Sequence, residues 1–180
     1  MRFLIFILLF PFSTFSQTDS ALRYSSVVEV AGQNKEQLFV KARQWVTDKF
    51  KDAKQVIQIS DLQTGEIAGA GNFDATFRYK NFGNDDPRLA NYQFRFGIYI
   101  KDGKYKYDFY DITVSDNSRT ALGGVVMTSA IKCPHSIPLT NKDKSDRMWQ
   151  TMQEGVKITM IALADDLLKT MIQEKAKTDF

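Results

Sequence analysis

The chain has 180 residues, with 24 Lys+Arg against 21 Asp+Glu, a net charge of +3, 43% hydrophobic and 13% aromatic residues. That is enough apolar material for one core, which excludes a disordered chain, and too small a basic excess for a dedicated nucleic-acid binder. A single cysteine, Cys133, excludes an intramolecular disulfide.

The first sixteen residues begin Met1-Arg2, continue through the apolar run Phe3 to Phe12 and reach small or polar residues at Ser13, Thr14 and Ser16. This is the pattern of a secretory signal peptide, with cleavage expected between Ser16 and Gln17. The run is too short for a permanent bilayer span of roughly 30 Å, and no cysteine follows it to carry a lipid. An exported protein with no stable membrane anchor is expected, periplasmic or secreted. Loss of Arg2 with the leader lowers the net charge from +3 to +2.

After a short tail at 17–23, a single domain is expected over 24–177. Tyr24 to Val30 alternates as a first strand. Asn34, followed three residues later by Gln37, forms a capping box. Leu38, Ala42, Trp45, Val46 and Phe50 then form one apolar helical stripe. Gln55 to Asp61 reads as a strand. Glu66 to Lys80 alternates for fifteen residues, with Ile67, Gly69, Gly71, Phe73, Ala75, Phe77 and Tyr79 on one face. The two glycines either admit a close approach to the backbone or mark a bulge.

Tyr92 to Val114 reads as a hairpin folded at Asp102-Gly103, for which a two-residue type I′ turn is expected. Opposed residues then sum to 205. Phe94, Phe96, Ile98, Ile100, Tyr105, Tyr107 and Phe109 share one face. Arg95, Tyr99, Lys101, Lys104, Lys106 and Tyr110 share the other, which should be wet. The pattern breaks down over 115–144, where a short strand near 123–131 is the one element expected. A last helix is expected from Ser145 or Asp146 to about Lys175. Its stripe of Met148, Met152, Val156, Met160, Leu163, Leu167 and Met171 reads as core. The fold class is α+β, a curved antiparallel sheet with two helices on one face, in the order β-α-β4-α.

Residues 27–32 (Val-Val-Glu-Val-Ala-Gly), 34–39 (Asn-Lys-Glu-Gln-Leu-Phe) and 42–46 (Ala-Arg-Gln-Trp-Val) resemble the opening of a bacterial exported family of unknown function. The likeness continues through Val56-Ile57-Gln58 and the Gly65 to Gly71 strand and fades after about residue 115. The family is the domain of unknown function with a TBP-like fold, DUF4468. The resemblance implies a β-α-β4-α arrangement and no activity, since the family carries no catalytic residues to transfer; the name describes shape.

Little chemistry is visible otherwise. Cys133 and His135 stand two residues apart on a Pro-flanked loop, which rarely aligns a nucleophile with its base. A zinc site would need more ligands. Asp85-Asp86 before Pro87 reads as a turn rather than a calcium loop. No phosphate-binding glycine loop, nucleophile elbow or metal cluster is present, so no catalytic residue, metal or cofactor is expected.

Three readings remain. The first is a non-enzymatic binding or interaction module of the cell envelope, using the wet face (Arg95, Tyr99, Lys101, Lys104, Lys106, Tyr110, with Arg78 and Lys80 as neighbours) or the 115–144 segment. Its partner would be a protein or envelope component and not nucleic acid. The second is a carrier of a hydrophobic small molecule, with a cavity near Gly69, Gly71 and Trp45. The third is an enzyme built on Cys133 and His135. The first ranks highest. The sequence leaves the oligomeric state open, and a monomer is the working expectation.

Overall fold

The computed structural model describes residues 20–50, 56–81, 84–115, 124–130, 133 and 142–173. The leader expected at 1–16 and His135 lie outside the described residues. The elements run β1 (Tyr24–Glu29), α1 (Lys35–Lys49), β2 (Ile57–Asp61), β3 (Glu66–Asn81), β4 (Asn84–Lys101), β5 (Lys104–Val114) and α2 (Lys142–Ile172). All strand pairs are antiparallel, in the spatial order β1-β5-β4-β3-β2. Both helices contribute to one core with the inward face of this sheet. The architecture is α+β.

Local rules account for most boundaries. Asn34 Oδ1 accepts from the Gln37 backbone N–H at 2.9 Å and Gln37 Oε1 accepts from the Asn34 N–H at 3.0 Å, so the capping box is complete. Helix α1 buries Leu38, Phe39, Ala42, Trp45 and Val46. Helix α2 starts one turn earlier than expected, and all seven residues of its stripe are buried. The methionines are core, not a binding stripe. Trp149, outside that pattern, is also fully buried and donates its indole N–H to the Ala130 carbonyl at 3.0 Å.

The helices are tied through the last two turns of α2. Asp166 Oδ2 accepts from Trp45 Nε1 at 3.0 Å and faces Lys49 Nζ at 3.1 Å. The Met171 carbonyl, near the end of α2, accepts from Gln33 Nε2 and Lys41 Nζ at 2.8 and 2.9 Å. Side chains of the β1–α1 region thus satisfy a carbonyl that α2 cannot.

The long hairpin keeps its expected register from Lys101↔Lys104 to Arg95↔Tyr110. Beyond that the register shifts by one, so Gln93 opposes Thr113 and Tyr92 opposes Val114. Asp111, at φ 51°, sits in the bulge that causes the shift. The turn also departs from type I′, because only Gly103 (φ 69°) has a positive φ. Asp102 serves α1 instead: its Oδ1 accepts from the Lys35 backbone N–H at 2.8 Å. Val30 N–H donates to the Gly103 carbonyl and Gly103 N–H to the Gln33 carbonyl, at 2.7 and 2.9 Å, which clamps the turn against the β1–α1 loop.

Residues 84–87 continue strand β4, so Asp85-Asp86 is not the loop read from sequence. Residues 124–130 lie beside the end of β5 through a Thr113↔Val126 bridge, and Ala21↔Thr128 ties in the N-terminal tail. The short strand expected there is reduced to these bridges.

Candidate functional site

The outward face of the sheet holds the six residues singled out from sequence. Tyr99, Arg95, Lys101 and Lys104 are exposed; Lys106 and Tyr110 are half-buried. Cross-strand pairing sets Tyr99 opposite Lys106 and Arg95 opposite Tyr110. Strand β3 adds Glu66 opposite Tyr99 and the small residues Ala68 and Ala70 opposite Gly97 and Arg95. The centre of the face is therefore shallow, with long side chains rising around it.

Its hub is Asp108, a carboxylate on the outward face that is only 2% exposed. The register explains this, because Asp108 opposes Gly97, which contributes no side chain. An ionised carboxylate removed from water needs partners. Arg23 supplies a two-pronged one, Nε to Oδ1 at 2.7 Å and Nη2 to Oδ2, and Lys106 Nζ lies 3.9 Å from Oδ2. The guanidinium fork meets both carboxylate oxygens, the strong bidentate form of such a pair.

Aromatic rings complete the layer. The Tyr99 ring leans back over Gly97, where an added Cβ would lie 2.7 Å from its hydroxyl. Lys106 Nζ stands 5.9 Å from the Tyr99 ring centre, and Arg23 Cζ 5.6 Å from that of Tyr110. Tyr99 titrates above its ordinary range, first through burial and then through Glu66. Arg23 is held above its own range by its hydrogen bond to Asp108. Tyr99, Lys106 and Tyr110 were legible as a shared face; Arg23, Gly97 and the role of Asp108 were not. The available signal was the gap that Gly97 leaves opposite an acidic residue.

Arg95 reaches Asp111 at 4.0 Å. Lys101 and Lys104 flank the hairpin turn without an ion-pair partner among the described residues. Arg78 does not join this group. It pairs with Pro87, eight residues along β3 from the Ala70 opposite Arg95, a distance of roughly 26 Å at strand rise. The side chain of Lys80 lies outside the described residues.

The core-side candidates are filled. A Cβ on Gly69 would collide with the Val56 carbonyl, and one on Gly71 would lie 2.7 Å from the Phe50 ring. The glycines admit the chain that leaves α1, and β2 carries the register shift, between Ile57 and Ile59. Where a cavity was expected, protein atoms pack. Trp45 is 3% exposed, its ring edge-on to Phe50 at 6.1 Å. On the helix layer, Phe39, Val40, Arg43, Gln44 and Thr47 of α1 line a groove of about 360 Å³.

Cys133 is half-buried against the core, its backbone N–H donating to Asp146 Oδ1 at 2.9 Å. Asp86 pairs with Arg88, Nη2 to Oδ2 at 2.6 Å. Among the described residues no cluster of three or more His, Cys, Asp or Glu is placed to hold a metal, and no helix is long and apolar enough to cross a membrane.

An open antiparallel sheet backed by two helices on one side defines the TBP-like class of α+β folds. A family model described as a domain of unknown function (DUF4468) with TBP-like fold matches residues 24–115. The chain belongs to that family. It is similar to the crystal structure of a DUF4468 family protein from Bacteroides ovatus ATCC 8483, at 19% identity and a TM-score of 0.53, over 87% of this chain and 90% of that one. It is also similar to a TBP-like protein from Parabacteroides distasonis ATCC 8503, at 15% identity and a TM-score of 0.47, over 82% and 93%. The first likeness is one of fold, and its coverage extends past the family-matched segment. A search of the curated proteins gives no match.

Proposed function

We propose that this protein is an exported, non-enzymatic binding module that takes a protein or glycan of the cell envelope on its open sheet face. The observation that carries the reading is the fixed array of Arg23, Lys106, Tyr99 and Tyr110 around buried Asp108, bordered by Arg95, Lys101 and Lys104. Stacked cations and rings are held in place before any ligand arrives, which lowers the ordering cost of binding. Two flat aromatic faces beside cationic groups suit sugar rings, carboxylates or sulfates. The leader at 1–16 supports export, and the near-neutral balance of the mature chain argues against a polynucleotide ligand.

The test is retention of mature 17–180 on immobilised envelope polysaccharides and acidic peptides, compared with an Arg95→Glu/Lys104→Glu variant. Both positions are exposed and lie away from Asp108, so the variant should fold. Salt-sensitive retention lost in the variant is expected. Equal retention of both proteins would remove the sheet face as the binding surface.

A further inference from the structure

Open sheets expose strand edges, and most edges of this one are guarded. Strand β2 has five residues and an irregular register. The far half of β3 is met by α2, with Thr151 Oγ1 donating to the Arg78 carbonyl at 3.0 Å and Gly155 lying against the Thr76 carbonyl. The far half of β4 carries Pro87, and its Asn91 carbonyl accepts from Ser115 N–H at 2.8 Å.

Among the described residues, strand β1 has none of these devices. Its sequence Tyr-Ser-Ser-Val-Val-Glu contains no proline or lysine, and Ser25, Ser26, Val27 and Glu29 are exposed. The Val30 N–H bond to the Gly103 carbonyl sets the ladder phase, so Tyr24, Ser26 and Val28 bond to β5. The backbone N–H and C=O groups of Ser25, Val27 and Glu29 therefore point away from the sheet. Among the described residues, only a long 3.5 Å contact from Ser26 Oγ reaches one of them, the Val27 carbonyl.

We infer that β1 is a homodimerisation edge, pairing antiparallel with β1 of a second copy about a two-fold axis at Val27. The strand is self-complementary in that register. Outward-pointing groups must meet outward-pointing groups, and centring on Val27 pairs all three such residues: Val27 with Val27, Ser25 with Glu29, and Glu29 with Ser25. Val27, 59% exposed on the outward face, is then covered by its own counterpart. Glu29 comes diagonally beside Arg23 of the second copy, whose side chain is 60% exposed, giving opposite charges at a distance where cross-strand pairs interact. The two sheets join into one of ten strands, with both Tyr99–Asp108 layers on a continuous face. This inference is independent of the ligand proposed above.

The test measures the mass of mature 17–180 by light scattering across a concentration series, for wild type, Val27→Pro and Val27→Lys. Proline at 27 removes an outward N–H and no bond to β5, so the fold should persist, which circular dichroism checks. Wild type should show a concentration-dependent dimer that both variants lose. In a Cys133→Ser background, Val27→Cys should cross-link on mild oxidation far more than Ser26→Cys, which meets Val28 in this register. A wild-type monomer at high micromolar concentration, or a dimer untouched by Val27→Pro, would overturn the inference.

Discussion

At the scale of single residues, small side chains decide what their neighbours do. Gly97 leaves room for Asp108 to sink into an outward face and for Tyr99 to cover it. Gly71 leaves room for Phe50, whose ring packs against both Phe94 and Phe96 at about 6 Å. Gly71→Ala puts a methyl group 2.7 Å from that ring, so an overpacking loss of about 1–3 kcal/mol is expected in urea unfolding. A loss no larger than that of an exposed control would mean that Phe50 does not sit there. Tyr92 and Tyr105 have buried hydroxyls without a hydrogen-bond partner among the described residues. Burial pushes the Tyr105 hydroxyl up to about 12 and that of Tyr92 further still. Because an unpaired buried hydroxyl is itself a cost, Tyr92→Phe and Tyr105→Phe should leave the unfolding midpoint unchanged or raise it; a clear drop in either would reveal a missing partner.

At the scale of elements, the tie between the helices responds to pH. Asp166 titrates below the usual carboxylate range because Trp45 donates to it and Lys49 lies beside it. Its folded pKa is thus lower than its unfolded value, so the unfolded chain binds more protons at acid pH. The stabilisation is complete above the unfolded value of about 4 and is lost as pH falls through the folded one. Asp166→Asn should therefore lower the unfolding midpoint at pH 7, and the gap to wild type should shrink as pH approaches 3. A gap independent of pH would show that the carboxylate charge is not what ties the helices. Partial exposure of both groups keeps the effect modest.

Element identity was legible wherever periodicity and caps agreed: the Asn34–Gln37 box, the Ile67 to Phe77 alternation and the methionine stripe of α2 all fold as read. What escaped was set by contacts distant in sequence. The Asp111 bulge follows an otherwise regular register, and Asp102 abandons a type I′ turn because it serves the first turn of α1. Of the candidate face, the membership was legible and the centre was not: alternation placed Tyr99, Lys106 and Tyr110 together, whereas Arg23 reaches Asp108 from 85 residues away.

At the scale of the whole molecule, the fold sorts its two faces by task. One buries the aromatic and methionine core under the helices; the other carries charge, rings and one buried carboxylate. The family matched at 24–115 covers all five strands and α1, hence the candidate face from Arg95 to Tyr110; Arg23 lies one residue before the match. The most direct test maps the bound surface. Backbone amide spectra of residues 17–180 would be recorded while titrating an envelope polysaccharide or acidic peptide found to retain the protein. The account predicts shifts confined to Arg23, Glu66–Ala70, Arg95–Lys106 and Asp108–Tyr110. Shifts gathered instead on the α1 groove at Phe39 to Thr47, with the sheet face silent, would contradict it.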